Sequence, residues 1–190
     1  MKDLDIPQEY MQVVDRVLFT PEQIQDRVTE LGAQISKDYT GKSLLLIGVL
    51  RGVIFFMTDL LRAVTIPVEV DFMSVSSYSP ESRDMGFVRL VKDLELSITD
   101  RHVLFVEDII DTGLTINYLL QTLKARQPAS LEVCVLFNKE KRRLIDLSLR
   151  YEGFKIPDYY IVGYGLDYHE KYRNIPFVGL LKAEILQNSK

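Results

Sequence analysis

Two adjacent carboxylates, Glu107 and Asp108, close an apolar run, Val103-Leu104-Phe105-Val106, and a third, Asp111, follows two isoleucines later. Thr112-Gly113-Leu114-Thr115 comes next, and then Ile116, Leu119, Leu120 and Leu123, spaced as on one helix face. That order predicts a buried parallel strand, a loop and a helix start. Open α/β sheets bind ligands at the carboxyl ends of their strands, where these acids would stand. Asp111 to Thr115 has the make-up of a phosphate cradle. Gly113 permits positive φ and close backbone approach, Thr112 and Thr115 offer hydroxyls, and the first amides of a helix favour an anion. Acids beside a phosphate would repel it unless sugar hydroxyls or Mg²⁺ take up their oxygens. The implied ligand is a sugar phosphate with a bound metal.

Lys42 to Val49 holds a second continuous apolar run, Leu44-Leu45-Leu46-Ile47-Gly48-Val49, as expected of a strand covered on both faces. It runs into Leu50-Arg51-Gly52 and a helix over Val53 to about Arg62. Arg51 and the turn amides could hold an anion, or Gly52 could serve a tight turn alone; spacing leaves both open. Upstream, Val13, Val14, Val17 and Leu18 suggest a short strand. Thr20-Pro21-Glu22-Gln23 reads as a capping box with proline in the first turn, and Ile24, Val28, Leu31 and Ile35 mark one face of the helix that follows. Ile66, Val68, Val70 and Phe72 alternate with Pro67, Glu69 and Asp71, which predicts a half-exposed strand. Ser74 to Gly86 has no period and suits a lid or a disordered loop. Val88 to Leu96 reads as a returning strand. Leu131 to Phe137 is a further buried strand, delivering Asn138-Lys139-Glu140-Lys141-Arg142-Arg143, whose cations suit a solvated turn with Lys139 set apart as the first residue past the strand. Ile156 to Tyr168 reads as the last strand and turn, and Pro176 to Leu186 as a final apolar strand or helix.

The length, 190 residues, suits one domain with a sizeable core, and the net charge of −4 implies no broad basic surface for nucleic acid. No apolar run reaches the roughly 20 residues that span a bilayer. The start of the chain lacks the form of a signal peptide. Cys134 is single and sits in an apolar run, as a packed core thiol does. His102 and His169 are too few and too far apart for a metal cluster. A cytoplasmic protein is expected, without membrane or nucleic-acid partners.

The stretch from Val103 to Thr115 resembles the phosphoribosyl pyrophosphate signature of the type I phosphoribosyltransferases. Together with Lys139, Tyr160 and the string Gly165-Leu166-Asp167-Tyr168, with Tyr172-Arg173 beyond it, the chain is similar to the members acting on hypoxanthine and guanine, over roughly residues 40 to 180. The resemblance implies one domain over residues 1–190. It would have the family's α/β fold, a parallel-sheet core flanked by helices, with a small hood from about 1–19 and 155–190. It implies transfer of a phosphoribosyl group from its pyrophosphate to hypoxanthine or guanine in purine salvage, with Mg²⁺, in a homodimer or homotetramer. Alternatives on the same fold are transfer to another base such as xanthine, or a nucleotide-sensing regulator that binds RNA or DNA.

The resemblance also implies roles. Leu50, Arg51 and Gly52 would grip pyrophosphate, with a non-proline cis peptide between Leu50 and Arg51. Glu107 and Asp108 would hold the ribose hydroxyls directly or through metal, and Asp111, Thr112, Gly113, Leu114 and Thr115 would complete the donor site with Arg173. Asp111 would be the base that takes the purine N7 proton. Ser77 and Tyr78 would open a mobile loop that closes over the site. At the base end, Lys139 would read the exocyclic oxygen, Tyr160 would stack, the backbone of Ile161 would read the amino group of guanine, and Asp167 would lie nearby on a second Mg²⁺.

Overall fold

In the computed structural model, residues 7–77 and 88–187 are described. The elements run α1 (Gln8–Met11), β1 (Val14–Phe19), α2 (Pro21–Asp38), β2 (Leu44–Leu50), α3 (Ile54–Ala63), β3 (Val68–Ser77), β4 (Val88–Lys92), β5 (His102–Ile110), α4 (Leu114–Lys124), β6 (Ser130–Asn138), a 3₁₀ turn (Glu140–Arg142), β7 (Tyr151–Lys155), β8 (Ile161–Val162), β9 (Val178–Leu181) and α5 (Ala183–Gln187). Six strands form the main sheet in the order β4-β3-β2-β5-β6-β7. Its neighbours pair in parallel except β4, which lies antiparallel at the edge.

The period of two along a strand explains how one sheet carries two cores. Leu44 and Leu46 of β2, with Leu104 and Val106 of β5, pack into the layer that holds α2 and α3. Leu45 and Ile47, with Val103 and Phe105, face the opposite layer against Ile116, Leu119 and Leu123 of α4. Both central strands are buried on both faces, and so both read as unbroken apolar runs. Cys134 is buried among them, and burial pushes its thiol far above the usual range. The α2 start is a capping box: Gln23 N donates to Thr20 Oγ1 at 3.3 Å and Thr20 N to Gln23 Oε1 at 2.9 Å. β1, β9 and β8 make a separate antiparallel sheet that draws on both ends of the chain, over its own core of Val14, Val162, Ile175 and Phe177.

Several boundaries differ from those expected. β3 runs on to Ser77, into the segment read as aperiodic, and β4 ends at Lys92 instead of Leu96. One residue explains the early stop. Asp71, expected on a solvated face, is buried while Val70 is exposed. Its Oδ2 accepts from Glu95 N at 2.7 Å and Leu96 N at 3.0 Å, and its Oδ1 accepts from Phe72 N at 2.7 Å. The chain after Lys92 leaves the sheet to bring those amides in. β7 was not foreseen, and of the stretch read as the last strand only Ile161–Val162 is extended. The stretch from Pro176 to Leu186, read as a final apolar strand or helix, holds both: β9 and then the start of the short α5.

Burial pushes the Asp71 carboxyl up, but the three amides and Lys92 outweigh it and leave the group below its ordinary 3.8. A lowered native pKa stabilises the fold above that ordinary value, and the contribution is lost as the pH falls through the native one. Asp71→Ala strands three amides, so about 3 kcal/mol of stability should go at neutral pH. Urea unfolding measures it. In acid, with Asp71 protonated, the gap between native and variant should narrow. An unchanged midpoint at pH 7 would show that water replaces the carboxylate without cost.

Candidate active site

β2 and β5 are neighbours in the sheet, so the loops that leave their carboxyl ends lie side by side. A cavity of about 370 Å³ opens there, lined by Leu50, Arg51, Gly52, Glu107, Asp108, Asp111, Lys139, Tyr160, Ile161, Asp167 and Arg173. Val49, Ile109 and Leu166, which sequence reasoning did not single out, complete the wall. The peptide between Leu50 and Arg51 is cis. Gly52 packs flat on β5, and a Cβ there would overlap Oδ2 of Asp108. From the other side comes Gly165, with φ 95°, so close that its own Cβ would overlap the carbonyl oxygen of Gly52. Bare backbone at both positions lets the β2 loop lie between the acids and the C-terminal turns.

Glu107 and Asp108 stand near the end of β5, which closes at Ile110, at the strand's carboxyl end as expected. Glu107 Oε2 is buried without a hydrogen-bond partner. Burial, with the charge of Asp108 added, holds its carboxyl well above the ordinary range. Asp108 accepts from Ile109 N at 2.9 Å. Burial raises it to about 6, with Asp167 adding to the rise and the backbone amides and Arg173 opposing it. Two acids short of positive partners make a place where a cation or a set of hydroxyls is stabilising.

Asp111 stands one residue beyond β5. Its Oδ2 lies 3.5 Å from Lys139 Nζ and its Oδ1 lies 2.6 Å from Arg142 Nε. Lys139 is buried, and its amide donates to the carbonyl of Ile110, which ties β6 to the end of β5. Asp158 closes the cluster at 3.5 Å from Lys139 Nζ and 2.7 Å from Arg142 Nη1. Arg142 was read as part of a solvated turn and Asp158 drew no notice. The signal for Arg142 was its spacing: in a 3₁₀ turn residues three apart eclipse, so Lys139 and Arg142 face the same way.

At the far wall Tyr160 is half-exposed and meets Tyr168 edge-on, with ring centroids 5.3 Å apart. Ile161 pairs with Leu180 in the small sheet. Asp167 accepts from Arg173 Nη2 at 2.8 Å and from Glu170 N at 2.9 Å. Arg173 Nη1 donates to the carbonyl of Gly165 at 2.8 Å, and its Nε is buried without a partner.

Thr112, Gly113, Leu114 and Thr115 are not in the cavity lining; they follow Asp111, a lining residue, in the chain. Gly113 has φ 81° and, as the cap of α4, offers no side chain of its own; Leu114 N makes a long 3.5 Å hydrogen bond to Thr112 Oγ1, and the cap residue satisfies none of the amides that follow. Tyr78 lies outside the described residues, and Ser77 is described only as the last residue of β3. Among the described residues no three acids, histidines or cysteines cluster as a ready-made metal cage. Glu107, Asp108 and Asp167 instead share the lining of the cavity. None of the helices described is long and apolar enough to cross a membrane.

The phosphoribosyl transferase domain family matches residues 19–169. The hypoxanthine-guanine phosphoribosyltransferase of Streptococcus mutans is 45% identical over 174 residues, covering 92% of this chain and 97% of that protein. That of Mycobacterium avium is 46% identical over 180 residues, covering 92% and 89%. The crystal structure of a hypoxanthine phosphoribosyltransferase from Staphylococcus aureus superposes with a TM-score of 0.90 at 43% identity, over 95% of this chain and 98% of that one. A mostly parallel sheet with these loops at its carboxyl edge, and that degree of identity over nearly the whole length, have one meaning: the chain belongs to the phosphoribosyl transferase domain family, among its hypoxanthine-guanine phosphoribosyltransferases.

Proposed function

We propose that this enzyme transfers the 5-phosphoribosyl group of phosphoribosyl pyrophosphate to N9 of hypoxanthine or guanine, releasing pyrophosphate and IMP or GMP, in cytoplasmic purine salvage. The observation that carries the reading is the make-up of one cavity. Two buried acids, Glu107 and Asp108, share its lining with two arginines, Arg51 and Arg173, and with Lys139 and Tyr160. An activated ribose that carries a pyrophosphate and meets a 6-oxopurine needs that set of groups. We read the chain as one domain, with the small sheet as a hood that carries Tyr160 and Ile161, and as a homodimer or homotetramer.

The acids fit Mg²⁺, which takes few carboxylate oxygens and fills its other positions with water and substrate oxygens. Glu107 Oε2, buried without a hydrogen-bond partner, is the atom most in need of a cation or a ribose hydroxyl. Glu107 and Asp108, with Asp167 on the pyrophosphate side, would hold the metal, which would offset the charge that gathers on the leaving group.

The chain's own residues do the rest. The bond from C1 of the ribose to pyrophosphate breaks as N9 bonds to C1, and the bonding pair leaves with pyrophosphate. Arg51, the amides of the Leu50–Gly52 loop and the free Nε of Arg173 receive that charge. The leading amides of α4, with Thr112 and Thr115, hold the 5′-phosphate. Tyr160 stacks on the purine, and Lys139 Nζ donates to its exocyclic oxygen. Adenine would offer that lysine an amino group, donor against donor. Asp111, beside Lys139, accepts the N7 proton as N9 attacks.

A panel of bases assayed with phosphoribosyl pyrophosphate and Mg²⁺ tests the reading. Turnover is expected with hypoxanthine and guanine and not with adenine; silence with every 6-oxopurine would overturn it. Lys139→Ala should raise the KM for hypoxanthine about 10- to 100-fold, the worth of a hydrogen bond from a charged donor. The KM for the donor should stay near native. Equal rises in both would remove Lys139 from base recognition.

A further inference from the structure

Arg51 and Arg173, the two cations at the pyrophosphate end, converge on one carboxylate that sequence reasoning passed over. Glu170 Oε2 accepts from Arg51 Nη1 at 3.0 Å and from Arg173 Nη2 at 3.2 Å. Both arginines line the cavity, and Glu170 stands outside its lining with 60% of its side chain exposed. The backbone bends to put it there. His169, Glu170 and Tyr172 have φ of 50°, 62° and 74°, a region unfavourable for any residue with a Cβ. Glu170 N also donates to Asp167 Oδ2, so the same turn ties this carboxylate to the site's own acid.

We propose that Glu170 is a positioning residue and a resident stand-in for pyrophosphate: it holds the two guanidinium groups together while the site is empty and yields them when pyrophosphate enters. The inference rests on the phosphoribosyl-transfer reading of the cavity. Two guanidinium groups this close repel each other, and an anion shared between them removes the repulsion. Pyrophosphate brings oxygens of the same kind and more charge from the cavity side. An exposed carboxylate makes only a weak pair, so it can be displaced, whereas a buried one would not let go. Arg173 stays anchored throughout by Asp167 and the carbonyl of Gly165. Arg51, with 69% of its side chain exposed, is the partner free to swing inward. Glu170 therefore competes with pyrophosphate, and the competition favours its release after transfer.

Glu170→Gln keeps size and hydrogen-bonding capacity and removes the charge. Titration calorimetry of the full chain with inorganic pyrophosphate at fixed Mg²⁺ should give a Kd about 3- to 10-fold lower than native, the scale of two exposed ion pairs. The Kd for IMP should be unchanged, a split that a general structural effect would not produce. Glu170→Asp, which keeps the charge, should stay closer to native than Glu170→Gln. Equal or weaker pyrophosphate binding by Glu170→Gln at an unchanged melting temperature overturns the proposal, as does equal tightening in Glu170→Asp. Native protein that takes up no pyrophosphate at all overturns the functional reading itself, and the proposal with it.

Discussion

Asp111→Asn is expected to lower kcat about 100-fold or more, the lower end of what a positioned general base contributes, with the KM for the pyrophosphate donor nearly unchanged. The substitution is almost isosteric. It leaves an oxygen to accept from Lys139 or Arg142 but takes away the group that can carry a proton. The surrounding cluster should survive, because Lys139 and Arg142 both retain Asp158. Donor contacts should survive as well, since Glu107, Asp108 and Arg173 are untouched. Single-turnover kinetics at saturating donor separates the chemical step from product release, and the loss should appear in that step. Near-native single-turnover rates would move the proton elsewhere and leave Asp111 as a partner of Lys139 alone.

What sequence reasoning could reach was decided by how local the determining physics is. β2 and β5 were legible because each is buried on both faces, which forces an unbroken apolar run, and α2 because its capping box is written in four consecutive residues. The acids and the glycine loop after β5 were legible as chemistry, since few arrangements place three carboxylates beside a phosphate cradle. The roles of Lys139, Tyr160, Asp167 and Arg173 came only through resemblance, and so did the cis peptide between Leu50 and Arg51. Nothing in their local sequence specifies them.

The misses share a cause: each is set by a partner distant in the chain. Asp71 alternates like a solvated residue, yet it is buried because Glu95 and Leu96 bring it their amides. β7 is a short edge strand that carries Glu152, Gly153 and Lys155 among its five residues, and its pairing with β6 is what makes it extended. Arg142 sits in a run of cations whose bulk composition hides the one that pairs with Asp111 and Asp158. Glu170 is an ordinary surface acid until Arg51 and Arg173 are brought to it by the fold.

Another approach between residues distant in the chain yields the second large effect. Gly165→Ala should raise the KM for phosphoribosyl pyrophosphate about 100-fold, the scale expected when reacting groups shift by about 1 Å. The new methyl group would overlap the carbonyl of Gly52, which is backbone and cannot rotate away, and the residue would have to keep a φ of 95°. Either strand of the contact must move. Moving Gly52 drags the pyrophosphate loop away from Asp108; moving Gly165 takes away the carbonyl that orients Arg173 Nη1. Both damage the cationic end of the cavity, while Lys139 and Asp111 lie outside the collision. The KM for hypoxanthine should therefore change far less than that for the donor. Gly52→Ala, whose methyl group would overlap the Asp108 carboxylate, should give the same asymmetry from the other side. If both variants weakened base and donor equally at unchanged stability, the loop and the C-terminal turn would not be acting as one pyrophosphate clamp.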